Sequence, residues 1–316
     1  MRTAAIRVMW LALALFACSL ATFGVLNILP GDPARVILGM NATDEALAAL
    51  HAKLGLDRPW WLQYLGWIGD LLRGRLGDSM TYDVPVADLL RGRIAITLPL
   101  ALLAMTMAVA IGIPLGACAA ARRRHADGLA LDALAQLGQS VPDFWLGMAL
   151  VMVVALRWRW APTGGFPGWA DPQAAIGALI LPALALALPQ AAVLTRVLRS
   201  ALISIGDEDF IRTARAKGLT RTRIFLTHAL PNALLPALTI ATMQLSFLIG
   251  GAVVVETVFN LPGIGRMLFD AVGQHDLAVL RDLVMLIAAA IVTLSMLAEL
   301  AAGWLDPRAR SRTVRP

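Results

Sequence analysis

Charge is what this sequence has least of. Of 316 residues only 15% are Asp, Glu, Lys or Arg, whereas 59% are hydrophobic and the mean hydropathy is +0.72. A soluble domain carries roughly 25% charged residues, so the shortage excludes an ordinary water-soluble globule and points to lipid as the solvent. Cysteine is almost absent. Cys18 and Cys118 both lie inside apolar runs, which excludes a disulfide framework and leaves them as small buried hydrophobes. Leu15-Phe16-Ala17-Cys18 faintly resembles a lipidation box, but the apolar run continues past it as a membrane anchor does. Only two lysines occur, Lys53 followed by Leu54 and Lys217 followed by Gly218. No phosphate-cradling loop ending in Gly-Lys-Ser/Thr is therefore present. His51, His125, His228 and His275 are scattered without metal-ligand spacing. No nucleophile–base motif is visible, so no residue is assigned to catalysis or to a metal. The net charge of +6 sits in short basic blocks between apolar runs, unlike the basic stripe with interleaved aromatics of a nucleic-acid face.

What the chain has in abundance is long apolar segments. About 20 apolar residues cross the hydrocarbon core as a helix, and six segments qualify: residues 8–29, 94–121, 133–156, 174–195, 233–255 and 283–305. The third is interrupted by Pro142 and Asp143, and the sixth holds Glu299 near its end. The expected fold class is an all-α integral membrane protein with six transmembrane helices. The organisation is a first transmembrane helix at 1–29, a segment of short amphipathic helices at 30–93, a five-helix core at 94–305 and a tail at 306–316.

Lysine and arginine placement sets the orientation. With the N-terminus inside, 16 of the 27 bases fall on the cytoplasmic side. Seven of the others belong to the long 30–93 segment, whose length weakens its vote; without it the split is 16 against 4. Both termini are therefore expected in the cytoplasm. No lysine or arginine falls within the six segments, and Asp143, Glu256 and Glu299 are the acids at their edges. Ion-coupled carriers often need central ionisable groups, so the energy source is expected elsewhere.

In the external segment Pro59 suits a first helical position. After it Trp61, Tyr64, Leu65, Ile68, Leu71 and Leu72 recur at helical spacing, and Trp60, Trp61, Tyr64 and Trp67 cluster. Such aromatics favour the membrane–water interface. This helix is either a simple interfacial anchor, which composition favours, or a platform for a docking protein.

Residues 206–236, GDEDFIRTARAKGLTRTRIFLTHALPNALLP, read as two short helices separated by a turn. Asp207 suits an N-cap, with Glu208 and Asp209 in the first turn. Arg215 and Lys217 place positive charge in the last turn, and Gly218 suits the left-handed residue that ends a helix. Thr220 suits the cap of the second helix, with Pro231 near its end. Such a pair, hung between two spans, makes a lever that a cytoplasmic partner could grip. Equally, it reads as a basic membrane-proximal loop that only sets topology.

The loop, about 199–232, resembles the EAA signature of ABC-importer permeases. It offers Arg212-Thr213-Ala214, Gly218 and then His228-Ala229-Leu230-Pro231 at matching spacing. The form EDFIRTARAKG…HALPNALLP is that of the peptide/nickel branch, although Arg212 and Thr213 replace the motif's first two residues. Leu29-Pro30-Gly31-Asp32-Pro33, Leu54-Gly55-Leu56-Asp57-Arg58-Pro59, Gly250-Gly251-Ala252-Val253-Val254-Val255-Glu256, Phe259-Asn260-Leu261-Pro262-Gly263-Ile264-Gly265-Arg266 and Leu305-Asp306-Pro307-Arg308 agree in order. The whole is similar to the B-type permease of dipeptide and oligopeptide importers.

That resemblance implies a type I ABC importer permease fold in the bacterial inner membrane. It implies a second homologous permease, two cytoplasmic ABC ATPases that hold ATP and Mg, and a periplasmic substrate-binding protein as partners, with no cofactor in this chain. It also implies Arg212, Thr213, Ala214, Lys217 and Gly218 as the ATPase-coupling contact. Beside it, Gly112 and Gly116 form a GxxxG spacing suited to close helix packing. Pro114, Pro182, Pro189 and Pro236 suit kinks where a pore opens. Gln139, Gln190 and Gln244 are candidates to line that pathway, although polar contact between helices is the commoner role. A nickel or glutathione importer of the same branch keeps every motif. A secondary transporter would call for inverted repeats or central charges, and a scaffold would need no such loop.

Overall fold

The computed structural model describes residues 2–28, 33–39 and 43–305. Most of the Leu29–Pro33 motif and all of the tail from Asp306 lie outside them. The described residues form helices and no strand longer than a single bridge between Asp78 and Pro85. Five helices are long and apolar enough to cross a membrane, or six if one bent pair counts as a span.

The first compact unit comprises the chain up to Thr97 together with Pro262–Val292. It holds α1 (Arg2–Ile28), α2 (Pro33–Leu38), α3 (Asp44–Leu54), α4 (Trp60–Leu72), the start of α5 (Val86–Ala121), α12 (Ile264–Gly273) and the start of α13 (Leu277–Leu305). Thr43 caps α3 through its side chain, and Gly55 ends it at φ +68. Pro59 immediately precedes α4 instead of opening it, and its carbonyl accepts the first backbone bonds from Leu62 and Gln63. The aromatic cluster divides. Tyr64 and Trp67, three residues apart, turn inward onto Phe23 and Met285, with ring centroids 5.4–6.2 Å apart among Phe23, Tyr64 and Trp67. Trp61, Leu65 and Leu72 form an exposed apolar stripe on another face. Burying two polar-tipped aromatics requires partners for their N–H and O–H groups. Tyr64 Oη lies 2.8 Å from Ser19 Oγ, and Trp67 Nε1 donates to Asp282 Oδ1 at 2.8 Å. Asp276, also buried, accepts from Ser79 Oγ at 2.5 Å and caps α13 through the Val279 N–H.

The second unit, Leu98–Leu261 with residues from 293 onward, is built around α8 (Pro172–Gly206). This helix packs against α6 (Ala126–Ser140), α7 (Asp143–Leu150) and α11 (Leu230–Val258). Without a hydrophobic drive between helices in lipid, close approach depends on small residues. Accordingly Ala183, Ala185, Ala187, Ala191 and Ala192 are buried along α8. Gly112 and Gly116 of α5 abut this face. A Cβ at Gly112 would lie 2.8 Å from the Ala191 carbonyl oxygen, and one at Gly116 would lie 2.7 Å from that of Thr195. The GxxxG spacing therefore serves packing within this chain.

Several expectations are corrected. The third span is not one helix: α6 and the arm from Asp143 to Arg157 meet at an angle of 102°. Pro142 disfavours the α conformation at the preceding residue, and Val141 is accordingly extended at φ −86, ψ 127. The end of that arm, Val151–Arg157, is π-helical. The helices also run longer than the apolar segments. At 35 residues α8 spans roughly 50 Å against about 30 Å of hydrocarbon, so its ends reach past the core. Arg196 and Arg199 lie within α8, and Arg281 and Asp282 lie in the early turns of α13, so basic residues do occur in these helices. Cys118 is exposed and Cys18 half-buried, not sequestered in a core.

Candidate coupling surface

The 206–236 stretch folds only partly as the sequence predicts. Asp207 ends α8, and Glu208 takes the N-cap position of α9 (Asp209–Ala216). Gly218 follows at φ +81, in the left-handed region expected of it, and its N–H donates to the Arg215 carbonyl at 2.9 Å. Thr220 caps α10 (Arg221–Ile224) by accepting from the Arg223 N–H. The second short helix does not stop at Pro231. A π-helical turn, Phe225–Ala229, carries α10 directly into α11, giving a helix that is continuous over Arg221–Val258. Pro231 is the second residue of α11 and so lies inside that continuous helix, directly after the π-helical turn.

On α9 the apolar positions fall three apart. Ile211 and Ala214 are buried against Leu198 and Leu202 of α8 and against Ile224, Ala229, Ala233 and Ala237. Burial of an Ile side chain is worth about 1.5–3 kcal/mol, so this cluster seats α9 on the ends of α8 and α11. Electrostatic ties are weaker: Arg123 lies 4.0 Å from Asp207, and Arg215 Nη2 lies 3.5 Å from the Gly206 carbonyl. Beside this packed cluster lies a cavity of about 210 Å³, lined by Leu202, Ile211, Ile224 and Phe225 together with Arg215 and Arg221.

Of the sequence-predicted contact residues, Arg212, Thr213, Lys217 and Gly218 are exposed, whereas Ala214 is 4% exposed and belongs to the packed base. Arg212 Nη1 donates to Asp209 Oδ1 at 3.3 Å, and Thr213 Oγ1 donates back to the Asp209 carbonyl at 3.0 Å. Both thereby stiffen the helix while leaving their outer edges open. Motif spacing alone does not single out Ile211 or the part-exposed Phe210, although the apolar Ile211/Ala214 spacing is a signal that could have found the packed base. The result is a short amphipathic helix with a basic outer edge, fixed by packing to two long helices. Such a surface can receive a protein partner and move what it is seated on; it carries no reactive group.

The other candidates are dispersed. Gln139 on α6 is exposed and accepts from Arg196 Nη1 at 2.7 Å. Gln190 on α8 is half-buried, and Gln244 on α11 is buried with its Oε1 unpartnered. No hydrogen bond links the three among the described residues. Arg199 and Asp132 form a half-buried ion pair at 3.4 Å between α8 and α6. Among the described residues no group of three or more His, Cys, Asp or Glu is placed to hold a metal.

Comparison with known proteins places this geometry. The "Dipeptide transport system permease protein DppB" of Escherichia coli (strain K12) is 38% identical over 93% of this chain and 94% of its own length. The "Probable peptide ABC transporter permease protein y4tP" of Sinorhizobium fredii (strain NBRC 101917 / NGR234) is 37% identical over 91% and 92%. Among solved structures, a chain of the inward-facing MetNI methionine ABC transporter covers 68% of this chain and 95% of itself at a TM-score of 0.58 and 18% identity, and so shares the fold. Residues 1–101 match the N-terminal part, and residues 112–311 the main part, of one family. The chain belongs to the binding-protein-dependent transport system inner membrane components, the membrane-spanning permeases of ABC importers.

Proposed function

We propose that this permease forms half of the translocation pathway of an ATP-driven importer for dipeptides and short peptides. The observation that carries the reading is near-complete alignment at 37–38% identity with permeases named for dipeptide and peptide transport. Those names favour peptide over nickel or glutathione as cargo. In the proposed assembly a second homologous permease completes the pathway, two cytoplasmic ABC ATPases hold ATP and Mg, and a periplasmic binding protein delivers the peptide. Both termini and α9 lie on the cytoplasmic side, in keeping with the bias of Lys and Arg.

Arg212, Thr213, Lys217 and Gly218 are the surface that an ATPase grips, with Ala214 anchoring it from below. ATPase closure displaces α9, and the packed cluster passes the displacement to α8 and α11. That is a two-state element biased by nucleotide on the partner. Gln244, buried with a free amide oxygen, is the strongest pathway candidate, ahead of Gln190 and the already engaged Gln139.

The test is affinity purification of the chain from its native membrane in mild detergent, with mass spectrometry of accompanying chains. Recovery of a second permease and ATPases supports the assembly, and dipeptide binding by a co-recovered binding protein supports the cargo. A folded chain recovered alone, or a binding protein that takes metal and no peptide, overturns the corresponding part.

A further inference from the structure

The first unit contains a cavity of about 290 Å³ that the coupling mechanism does not use. Arg58, Asp70 and Arg281 supply its charged lining, with Asn27 and Gln63 beside them; Phe23, Leu26, Leu62 and the Trp67 ring supply its apolar wall. Gln63 Nε2 donates to the Leu56 and Arg58 carbonyls, at 3.1 and 2.8 Å, and so fixes the turn that presents Arg58. Asn27 Nδ2 is used by the Phe23 carbonyl at 2.8 Å. The amide oxygens of both residues are thereby left as acceptors.

The two guanidiniums are under-used. That of Arg58 makes no ion pair among the described residues. That of Arg281 lies 5.0 Å from the Trp67 centroid, and its Nε is buried without a hydrogen-bond partner. Its nearest carboxylate, Asp282 Oδ1, is 3.8 Å away, beyond the 2.7–2.9 Å of a charge-assisted hydrogen bond. Asp70 is 53% exposed; its one ion pair among the described residues is with Arg73, at 3.9 Å, and its charge also acts on Arg281. The cavity thus gathers two cationic donors, a carboxylate and two amide acceptors in its lining. A ligand that satisfies them all needs an anionic, multi-acceptor group and a cation that donates several hydrogen bonds.

The surroundings identify its source. The cavity is bordered by the end of α1, a helix whose membrane-spanning stretch is only 11% buried. Phe16, Leu20, Val25 and Ile28 are exposed along α1, and Trp61 and Leu65 are exposed on α4. We infer that the cavity is a binding site for a phospholipid whose headgroup carries a phosphodiester and a primary ammonium. Arg58 and Arg281 take the phosphate, Asp70 with the Asn27 and Gln63 oxygens takes the ammonium, and the acyl chains run along the outer face of α1.

The test uses the chain in mild detergent with whatever subunits accompany it. It is incubated with phosphatidylethanolamine, phosphatidylcholine or phosphatidylglycerol, and bound lipid is counted by native mass spectrometry. Phosphatidylethanolamine should be retained about tenfold better than the other two, as expected for charge-assisted hydrogen bonds that a trimethylated or uncharged headgroup cannot make. Arg58→Ala and Arg281→Ala should each lower that retention about tenfold. Asp70→Asn should erase the preference over phosphatidylglycerol while leaving both lipids bound. Arg58→Ala removes no ion pair of the fold, so it keeps the test clean if Arg281→Ala unfolds the aromatic cluster. Equal retention of all three lipids, or unchanged retention in the Arg58 variant, overturns the assignment. So does displacement by inorganic phosphate or by a free dipeptide, which would make the cavity a site for a soluble ion or peptide.

Discussion

Replacing Gly112 or Gly116 by alanine should destabilise the chain, although alanine is the better helix former. A new Cβ at Gly112 would lie 2.8 Å from the Ala191 carbonyl oxygen and 2.9 Å from Leu194 Cβ; at Gly116 the distances are 2.7 Å to the Thr195 carbonyl oxygen and 3.0 Å to Leu198 Cβ. Ordinary van der Waals separation is about 3.5 Å, so α5 and α8 must move apart by roughly 0.5–0.8 Å. These neighbours are backbone and Cβ atoms that no side-chain rotation can remove. Separation also stretches the bond from Thr195 Oγ1 to the Gly112 carbonyl, already 3.3 Å long. Alanine returns about 1 kcal/mol of helix propensity, whereas overpacking costs about 1–3 kcal/mol, and the widened seam weakens dispersion attraction along the rest of the helix pair. The expected net loss is about 1–2 kcal/mol for each variant. The double variant should lose less than the sum, because the first methyl already moves the helices apart. Gly177, also on α8, has nothing within 4 Å of its Cβ position, and its alanine variant should be neutral or gain up to about 1 kcal/mol. The assay is thermal unfolding of detergent-solubilised chain, followed by fluorescence-detected size exclusion. If Gly112→Ala and Gly116→Ala melt with or above the wild type, as Gly177→Ala should, the close packing inferred for α5 and α8 is wrong.

Three further outcomes are expected. Gly218→Val places a β-branched residue at φ +81, where it is strongly disfavoured; peptide uptake should fall while ATP hydrolysis by the assembly persists, and wild-type uptake would contradict the coupling role. Trp67→Phe removes the N–H that donates to buried Asp282 and should cost about 1–3 kcal/mol in thermal unfolding; combining it with Asp282→Asn should recover part of that loss, and strict additivity would refute the pairing. Gly164→Ala directs a methyl into the Phe259 carbonyl, to which the Gly165 N–H donates at 2.8 Å; the 158–171 loop should then be cleaved faster by protease, and unchanged resistance would show that the clamp is not needed.

How much of the fold is legible in the sequence varies by element. Long apolar runs fix the existence of α1, α5, α8, α11 and α13, because an unbroken run of about 20 apolar residues crosses lipid as a helix that satisfies its own backbone groups. Helix ends are less legible, since helices such as α8 continue past the apolar segment into charged turns at Arg196 and Arg199. The small-residue spacing at Gly112 and Gly116 is a one-dimensional signal. It announces a close approach without saying that Ala191 and Thr195 supply the other side. The Trp-rich stretch misleads in a different way. Composition places such aromatics at an interface, yet Tyr64 and Trp67 are drawn inward because Ser19 and Asp282, distant in sequence, satisfy their polar tips. For the same reason the cavity between Arg58 and Arg281 leaves no local signal. Its residues come from four separated segments, and Arg281, which in the sequence precedes an apolar run, lies within a helix.

The most consequential difference between sequence and structure is at Pro231. A proline normally marks a helix boundary because it lacks an N–H and clashes with the preceding turn. Here the turn before it is wide: the Leu230 N–H donates to the carbonyl of Phe225, five residues back. The π-turn lets the helix pass through the proline position without a break. Two jointed helices would absorb a push at α9 in the hinge between them, whereas a continuous Arg221–Val258 helix carries it. The only pliant joint left between α9 and that helix is the turn at Gly218 and Leu219, bounded by the Thr220 cap. On the proposed mechanism the glycine is therefore the pivot and α11 the rod. Stiffening residues 225–229 further should matter less than altering the single left-handed residue before them.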